Sequence, residues 1–248
     1  FDSAHRSSLE AVFSLMNAGN TCATSAMIFR TMTGGPRGMR VTKAQKKLVD
    51  DLMSSMLYSP VRIEMPIVGP DGEVEKTITL ESPMIAADKM IMKMSGALCV
   101  AYRFKSSYFY DYCRRTNALI KTPYEMLFVP KLQKTERNIS LISFVQRKLA
   151  NYLYPTDKEY VTPAPLTVDI KEAYHAVYPG TDKISYTEKN RIRSNMEVIL
   201  DTLKENGYIV KWQFIQNAAS VKAVRILFPD TVPPVDDFGE ALDLFQKE

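Results

Sequence analysis

The chain has 248 residues, of which 46% are hydrophobic and 24% charged, with a formal net charge of +4. That balance belongs to an ordinary soluble globular protein, long enough for a good core and for two domains. The longest apolar stretch, from Met90 to Tyr102, is broken by Lys93 and too short to span a bilayer, so no membrane is an expected partner. No charged-then-apolar leader opens the chain, which begins at Phe1 rather than Met, and nothing marks secretion. Cys22, Cys99 and Cys113 form an odd set without close pairing, which suits a reducing cytoplasm better than a disulfide scaffold.

The charge is uneven. Residues 1–122 hold 16 Lys/Arg against 11 Asp/Glu, and residues 123–229 hold 15 against 11. The stretch 230–248 holds one Lys against six acids. Two modestly basic bodies with a short acidic tail suit a polyanionic ligand.

In chain order, Leu9, Val12, Phe13 and Met16 recur at helical spacing up to Gly19. The stretch from Thr21 to Gly35 predicts a second short helix, stopped by Gly34-Gly35-Pro36. Thr42 can cap a third, with Leu48, Leu52 and Met56 as its apolar stripe and Lys43, Gln45, Lys46 and Lys47 in its opening turns. After Pro60, Val61, Ile63, Met65 and Ile67 alternate, Asp71-Gly72 marks a turn, and Val74, Ile78 and Leu80 lead back: a hairpin. A further hairpin turning at Ser95-Gly96 is expected to extend the same sheet. Tyr108 to Arg115 predicts a short helix, and Ala118 to Gln133 an extended crossing to a second domain.

There the plan repeats. Leu141, Phe144, Val145, Leu149 and Tyr152 mark an amphipathic helix, a Pro-rich connector follows, and a helix from Thr167 ends at Pro179-Gly180. Thr187 can cap a long helix whose stripe is Ile192, Met196, Ile199, Leu200 and Leu203, ended by Gly207. Its first two turns carry Lys189, Asn190, Arg191, Arg193, Ser194 and Asn195. Tyr208, Val210, Trp212 and Phe214 alternate, as do Val224, Ile226 and Phe228 after a turn near Asn217. The expected fold class is therefore α+β, two tandem winged helices, each a three-helix unit with a β-hairpin wing: residues 1–122, residues 123–229, and an acidic tail 230–248.

Catalytic constellations are scarce. His5 and His175 stand alone, so neither a His-x-His nor a His-x-x-x-His metal pair exists, and the cysteines lack ligand spacing. The glycines of residues 33–39 lack the Gly-Lys-Ser/Thr ending of a phosphate-binding loop. Thirteen tyrosines raise the question of a DNA-cleaving nucleophile. The nicking chemistry needs paired histidines beside the Tyr, and the recombinase box needs Arg three residues after His, where His175 has Tyr178. The reading is no enzyme, no cofactor and no metal; Tyr108, Tyr110 and Tyr112 pack or touch phosphates.

A solvated face is the bland account of Lys189, Arg191 and Arg193. Two features favour DNA: Lys189, Asn190, Arg193 and Ser194 are placed on one side of the first turns, opposite the apolar stripe, and Arg, Asn and Ser suit purine edges while Lys and Arg grip phosphates. The candidate DNA-binding residues are thus Lys189, Asn190, Arg191, Arg193 and Ser194, then Lys43, Gln45, Lys46 and Lys47, with Lys222 on the second hairpin as a wing contact. Arg30, Arg37, Arg40, Arg114, Arg115, Lys211 and Arg225 are secondary candidates. Trp212 and the Met84–Met94 methionines are read as core, or for the latter a soft self-association surface.

The segment Asn20 to Gly35, above all Ala26-Met27-Ile28-Phe29-Arg30 and Met32-Thr33-Gly34, resembles the N-terminal winged helix of plasmid and phage replication initiators, in particular the initiator-like proteins of gut Firmicutes. The stretches from Ile139 to Leu153, Ile192 to Ile209 and Val224 to Phe228 are similar to the second module of such initiators. The resemblance implies a cytoplasmic, non-cleaving initiator. Its C-terminal module would bind repeated double-stranded origin sequences, and its N-terminal module would aid homodimerisation, with host replication proteins as further partners. By position Lys189, Asn190, Arg191, Arg193 and Ser194 match the reading helix, and the acidic tail departs from the pattern. The rival readings are a winged-helix transcriptional repressor and a protein–protein scaffold.

Overall fold

The computed structural model describes residues 3–68, 73–94, 96–115, 123–155, 160–181, 183–217 and 220–233. The expected turns at Asp71-Gly72 and Ala218-Ala219, and the tail from Pro234 with Phe238, Leu242 and Phe245, lie outside the described residues. The architecture is mixed α+β with small antiparallel sheets. In the first half the order is α1 (Ser3–Asn17), β1 (Cys22–Thr24), α2 (Ser25–Thr33), α3 (Lys43–Tyr58), β2 (Pro60–Val68), β3 (Val74–Pro83), β4 (Ala86–Met94), β5 (Ala97–Lys105) and α4 (Tyr108–Arg115). In the second it is α5 (Glu136–Leu153), β6 (Leu166–Asp169), α6 (Ile170–Val177), α7 (Tyr186–Glu205), β7 (Lys211–Asn217) and β8 (Ser220–Leu227).

Local chemistry sets the helix ends. Thr24 and Thr42 accept from Met27 N and Gln45 N, and the Gln45 side chain returns a bond to the Thr42 backbone, a complete capping box. Gly34 ends α2 at φ +60, where its N–H reaches back to the last turn. The cap of α7 is Ser185, not Thr187: its hydroxyl oxygen accepts from Glu188 N. Ser185 and Glu188 supply the Ser-x-x-Glu signature, whereas Thr187 has Asn190 three residues on, so the cap lies two residues before the expected one and the helix starts at Tyr186.

Pairing overturns the expected wing of the first half. β2 and β3 pair only with each other among the described strands, while β1 joins β5, giving the sheet order β1-β5-β4. The second half has the order β6-β8-β7. In both, the strand after the first helix pairs with the last strand of the terminal hairpin. By connectivity β4–β5 therefore corresponds to β7–β8, and β2–β3 is an extra arm between α3 and that hairpin. Alternating apolar residues mark strands, but they do not say which distant strand a three-residue β1 will choose.

The buried side chains form two clusters. One gathers Val12, Phe13, Ile28, Phe29, Met53, Met56, Ile85 and Tyr102; the other gathers Leu141, Val145, Leu149, Val168, Ile192, Met196, Ile199, Leu200, Val224 and Ile226. Helix α5 serves both, since Ile139 enters the first cluster while Leu141 enters the second. It is buried without interruption from Ile139 to Gln146, so the one-sided stripe expected for it is too narrow. The described part of the crossing segment, from Pro123 on, is not extended throughout: Tyr124–Leu127 form a 3-10 turn. Tyr124 Oη donates to the carbonyls of Arg30 and Gly35 at 2.7 and 2.9 Å, seating this turn on the end of α2.

Candidate nucleic-acid interface

Helix α7 is held by the stripe Ile192, Met196, Ile199, Leu200 and Leu203, each at most 2% exposed. Burial of such side chains is worth roughly 1.5–3 kcal/mol apiece, so this edge is fixed against β8 and α5, and the polar residues follow by periodicity. Trp212 is half-buried rather than fully core; its indole N–H donates to Asp201 at 2.9 Å and its ring meets Phe214 edge-on, tying β7 to the helix.

The opening turns do not project their cations together. Ser194 is exposed and Asn190 half-exposed on the side away from the stripe. Lys189 and Arg193 lie half-buried along one border of the stripe. Arg193 Nη2 donates to Asn190 Oδ1, and its Nε is buried without a hydrogen-bond partner among the described residues. Arg191 is exposed on the other border, where its Nη2 donates to Tyr178 Oη at 2.8 Å. The expectation of one cationic face opposite the core is corrected to a neutral polar face with an arginine on each flank. The reason is the helical advance of about 100° per residue, which carries positions 189 and 193 back toward 192 and 196 and sends 191 the other way.

Sequence reasoning missed the groups around Arg191. Tyr178, at the end of α6, donates from Oη to Glu188 Oε1 at 2.8 Å, and Ser185 Oγ donates to the other carboxylate oxygen at 3.0 Å. The guanidinium of Arg137, from the first turn of α5, sits 4.7 Å from the Tyr178 ring centroid and 3.9 Å from Glu188. Bonding to Tyr178 and Ser185 holds the Glu188 carboxyl below the usual range, and burial together with Glu188 pushes the Tyr178 hydroxyl up. Ser185-x-x-Glu188 was legible as a cap; no sequence signal links Arg137 to Tyr178.

On α3 the candidates divide differently. Lys43 and Lys46 are exposed and make no ion pair among the described residues. Lys47 pairs with Asp51 one turn on at 3.7 Å, and Gln45 is committed to the capping box. Asp50 turns inward, accepting from Ser25 Oγ at 2.6 Å and Tyr102 Oη at 2.9 Å. On the second hairpin, Lys222 is exposed at a break in register, since Ile215 pairs with Ala223 but Gln216 with Val221. A bulge of this kind re-aims a side chain near a hairpin tip. Lys211 and Arg225 are exposed, Arg225 opposite Gln213.

Among the secondary candidates, Arg30 Nε donates to the Met39 carbonyl at 3.0 Å, and Arg40, Arg114 and Arg115 are exposed. Tyr110 is buried with Oη on Asn17 at 2.6 Å, a packing role, while Tyr108 and Tyr112 are exposed. No cluster of His, Cys, Asp and Glu able to hold a metal occurs among the described residues, and none of their helices is long and apolar enough to cross a membrane.

No family model matches the chain, and no curated protein matches it. Among solved structures, it is similar to a crystal structure of SeMet derivatives of domain 2 and domain 3 of RctB, with a TM-score of 0.43 and 10% identity over 90% of this chain and 81% of that one. A likeness that distant bears no weight for function.

Proposed function

We propose that this protein binds double-stranded DNA sequence-specifically through the opening turns of α7, and that it initiates replication of a plasmid, phage or integrated mobile element without cleaving a strand. The two halves, residues 1–122 and 123–229, are read as tandem winged helices of a cytoplasmic protein. Their common strand plan supports that reading, with β4–β5 and β7–β8 as wings and α3 and α7 as the helices presented to DNA.

The observation that carries the DNA reading is the division of labour on α7. Asn190 and Ser194 occupy the outward side, while Arg191 and Arg193 occupy its two flanks. A helix lying in a major groove meets base edges along its outer side and a phosphate strand along each flank. Neutral amide and hydroxyl groups suit the first, and guanidinium groups the second. The initiator role comes from the sequence resemblance, as do binding to repeated origin sequences, homodimerisation and recruitment of host replication proteins.

A gel-shift titration of the protein against any short direct repeats found beside its gene, at low and at raised salt, tests this. The expected result is a shift that survives an excess of unrelated duplex and weakens steeply with salt. No shift at low salt, where phosphate contacts are strongest, would reject DNA binding altogether.

A further inference from the structure

We propose that Arg137 and Arg191 form a two-armed clamp for one backbone phosphodiester of DNA, with Tyr178 as the residue that positions both arms. The clamp deepens the DNA reading of α7 and rests on it. Three elements converge here: Arg137 comes from the start of α5, Tyr178 from the end of α6 and Arg191 from the second turn of α7. The Arg137 guanidinium sits over the tyrosine ring, 4.7 Å from its centroid, and Arg191 reaches the hydroxyl of the same ring at 2.8 Å. One aromatic side chain therefore sets the position of two guanidinium groups, one at its face and one at its edge.

The charge in this cluster does not close. Two guanidinium groups meet at Tyr178, beside the carboxylate of Glu188, which already accepts from Tyr178 and Ser185. Arg137 approaches it only to 3.9 Å, beyond hydrogen-bond distance, and its N–H groups donate no hydrogen bond among the described residues. Arg191 uses one donor of its fork on the tyrosine. The remaining donors lie on exposed side chains, so their desolvation forces no internal partner. What the cluster lacks is an anion with several oxygens, and planar guanidinium forks match phosphate geometry.

The location selects backbone rather than base. Arg137 is on α5 and not on the helix assigned to the groove, so with Arg191 it marks the flank where a strand would run. Glu188 has a complementary role: hydrogen-bonded to the tyrosine hydroxyl, it keeps that hydroxyl oriented so that its oxygen accepts from Arg191. A cation–π contact with the ring holds Arg137 without consuming its donors.

The test measures DNA affinity of the full chain over a salt series, for the repeat duplex and an unrelated one. Arg137→Ala is expected to weaken both about tenfold and to lower the slope of log affinity against log salt by about one, leaving sequence preference intact. Arg137→Lys keeps the charge but loses the planar fork, so the slope is retained with an affinity between the two. Tyr178→Phe keeps the ring and frees Arg191, which is expected to cost a few-fold with the slope unchanged. Wild-type affinity and slope in Arg137→Ala would overturn the clamp while leaving α7 binding in place. Absence of any wild-type shift at low salt would remove the DNA reading itself, and the clamp with it.

Discussion

Helices α3 and α7 hold the same place in the two halves, yet they treat their polar residues in opposite ways. In α3 the polar groups are turned on the protein: Gln45 closes its own cap, Asp50 binds Ser25 and Tyr102, and Lys47 meets Asp51. Lys43 and Lys46 remain, with no ion pair among the described residues. In α7 the outward Ser194 is exposed, with no side-chain hydrogen bond among the described residues, and the flanking arginines are braced by neighbours, Arg191 by Tyr178 and Arg193 by Asn190. Shared connectivity thus does not entail a shared task. A braced arginine loses less rotamer freedom on meeting a ligand than a free lysine does. This difference supports the proposal that α7, rather than α3, is the helix that reads DNA.

The comparison is broken most severely at the seam between the halves. A Cβ added to Gly34 would meet Tyr124 O at 2.6 Å and Phe128 N at 2.7 Å, both backbone atoms, at a φ of +60. Gly34→Val is expected to destabilise the protein by about 3 kcal/mol or more, combining left-handed strain with overpacking. Urea unfolding checks this. A midpoint within error of wild type would mean that the Tyr124 turn is not seated on α2.

Next comes the contrast between the helices themselves. Lys189→Ala with Arg191→Ala is expected to weaken duplex binding by roughly tenfold or more, since each lost phosphate contact also lowers the salt slope by about one. Lys43→Ala with Lys46→Ala is expected to weaken it only a few-fold. Equal losses in fluorescence anisotropy titrations would make both helices readers and end the asymmetry.

The smallest effect should be the same on both sides. Thr42→Ala and Ser185→Ala each remove a hydroxyl that accepts from the third backbone N–H of its helix, and each is expected to cost about 1 kcal/mol. Thermal unfolding measures it. A much larger loss at Ser185 would assign its hydroxyl a further duty, through the bond it donates to Glu188.

Much of this was legible in the residues and some was not. The stripe from Ile192 to Leu203, the Thr42 cap and the three hairpins follow from periodicity and from short-range hydrogen bonds, which neighbours in sequence can encode. The border position of Lys189 and Arg193 was also implicit in the helical advance of about 100° per residue. The Ser185 cap was written in its Ser-x-x-Glu signature. Arg137 carried no signal at all, because its partner on α6 lies beyond any periodic window.

By itself, the sequence determined where the long helices and the hairpin strands form and which edge of α7 is apolar, because those depend on residues a few positions apart; the short strands β1 and β6 lie in stretches expected to be helical. Only the tertiary structure decided that β1 chooses β5 and leaves β2–β3 as an arm, that α5 belongs to both cores, and that Tyr178 gathers Arg137 and Arg191. Those outcomes are contacts between distant segments. They are selected by the burial of whole faces against one another, which no local pattern specifies.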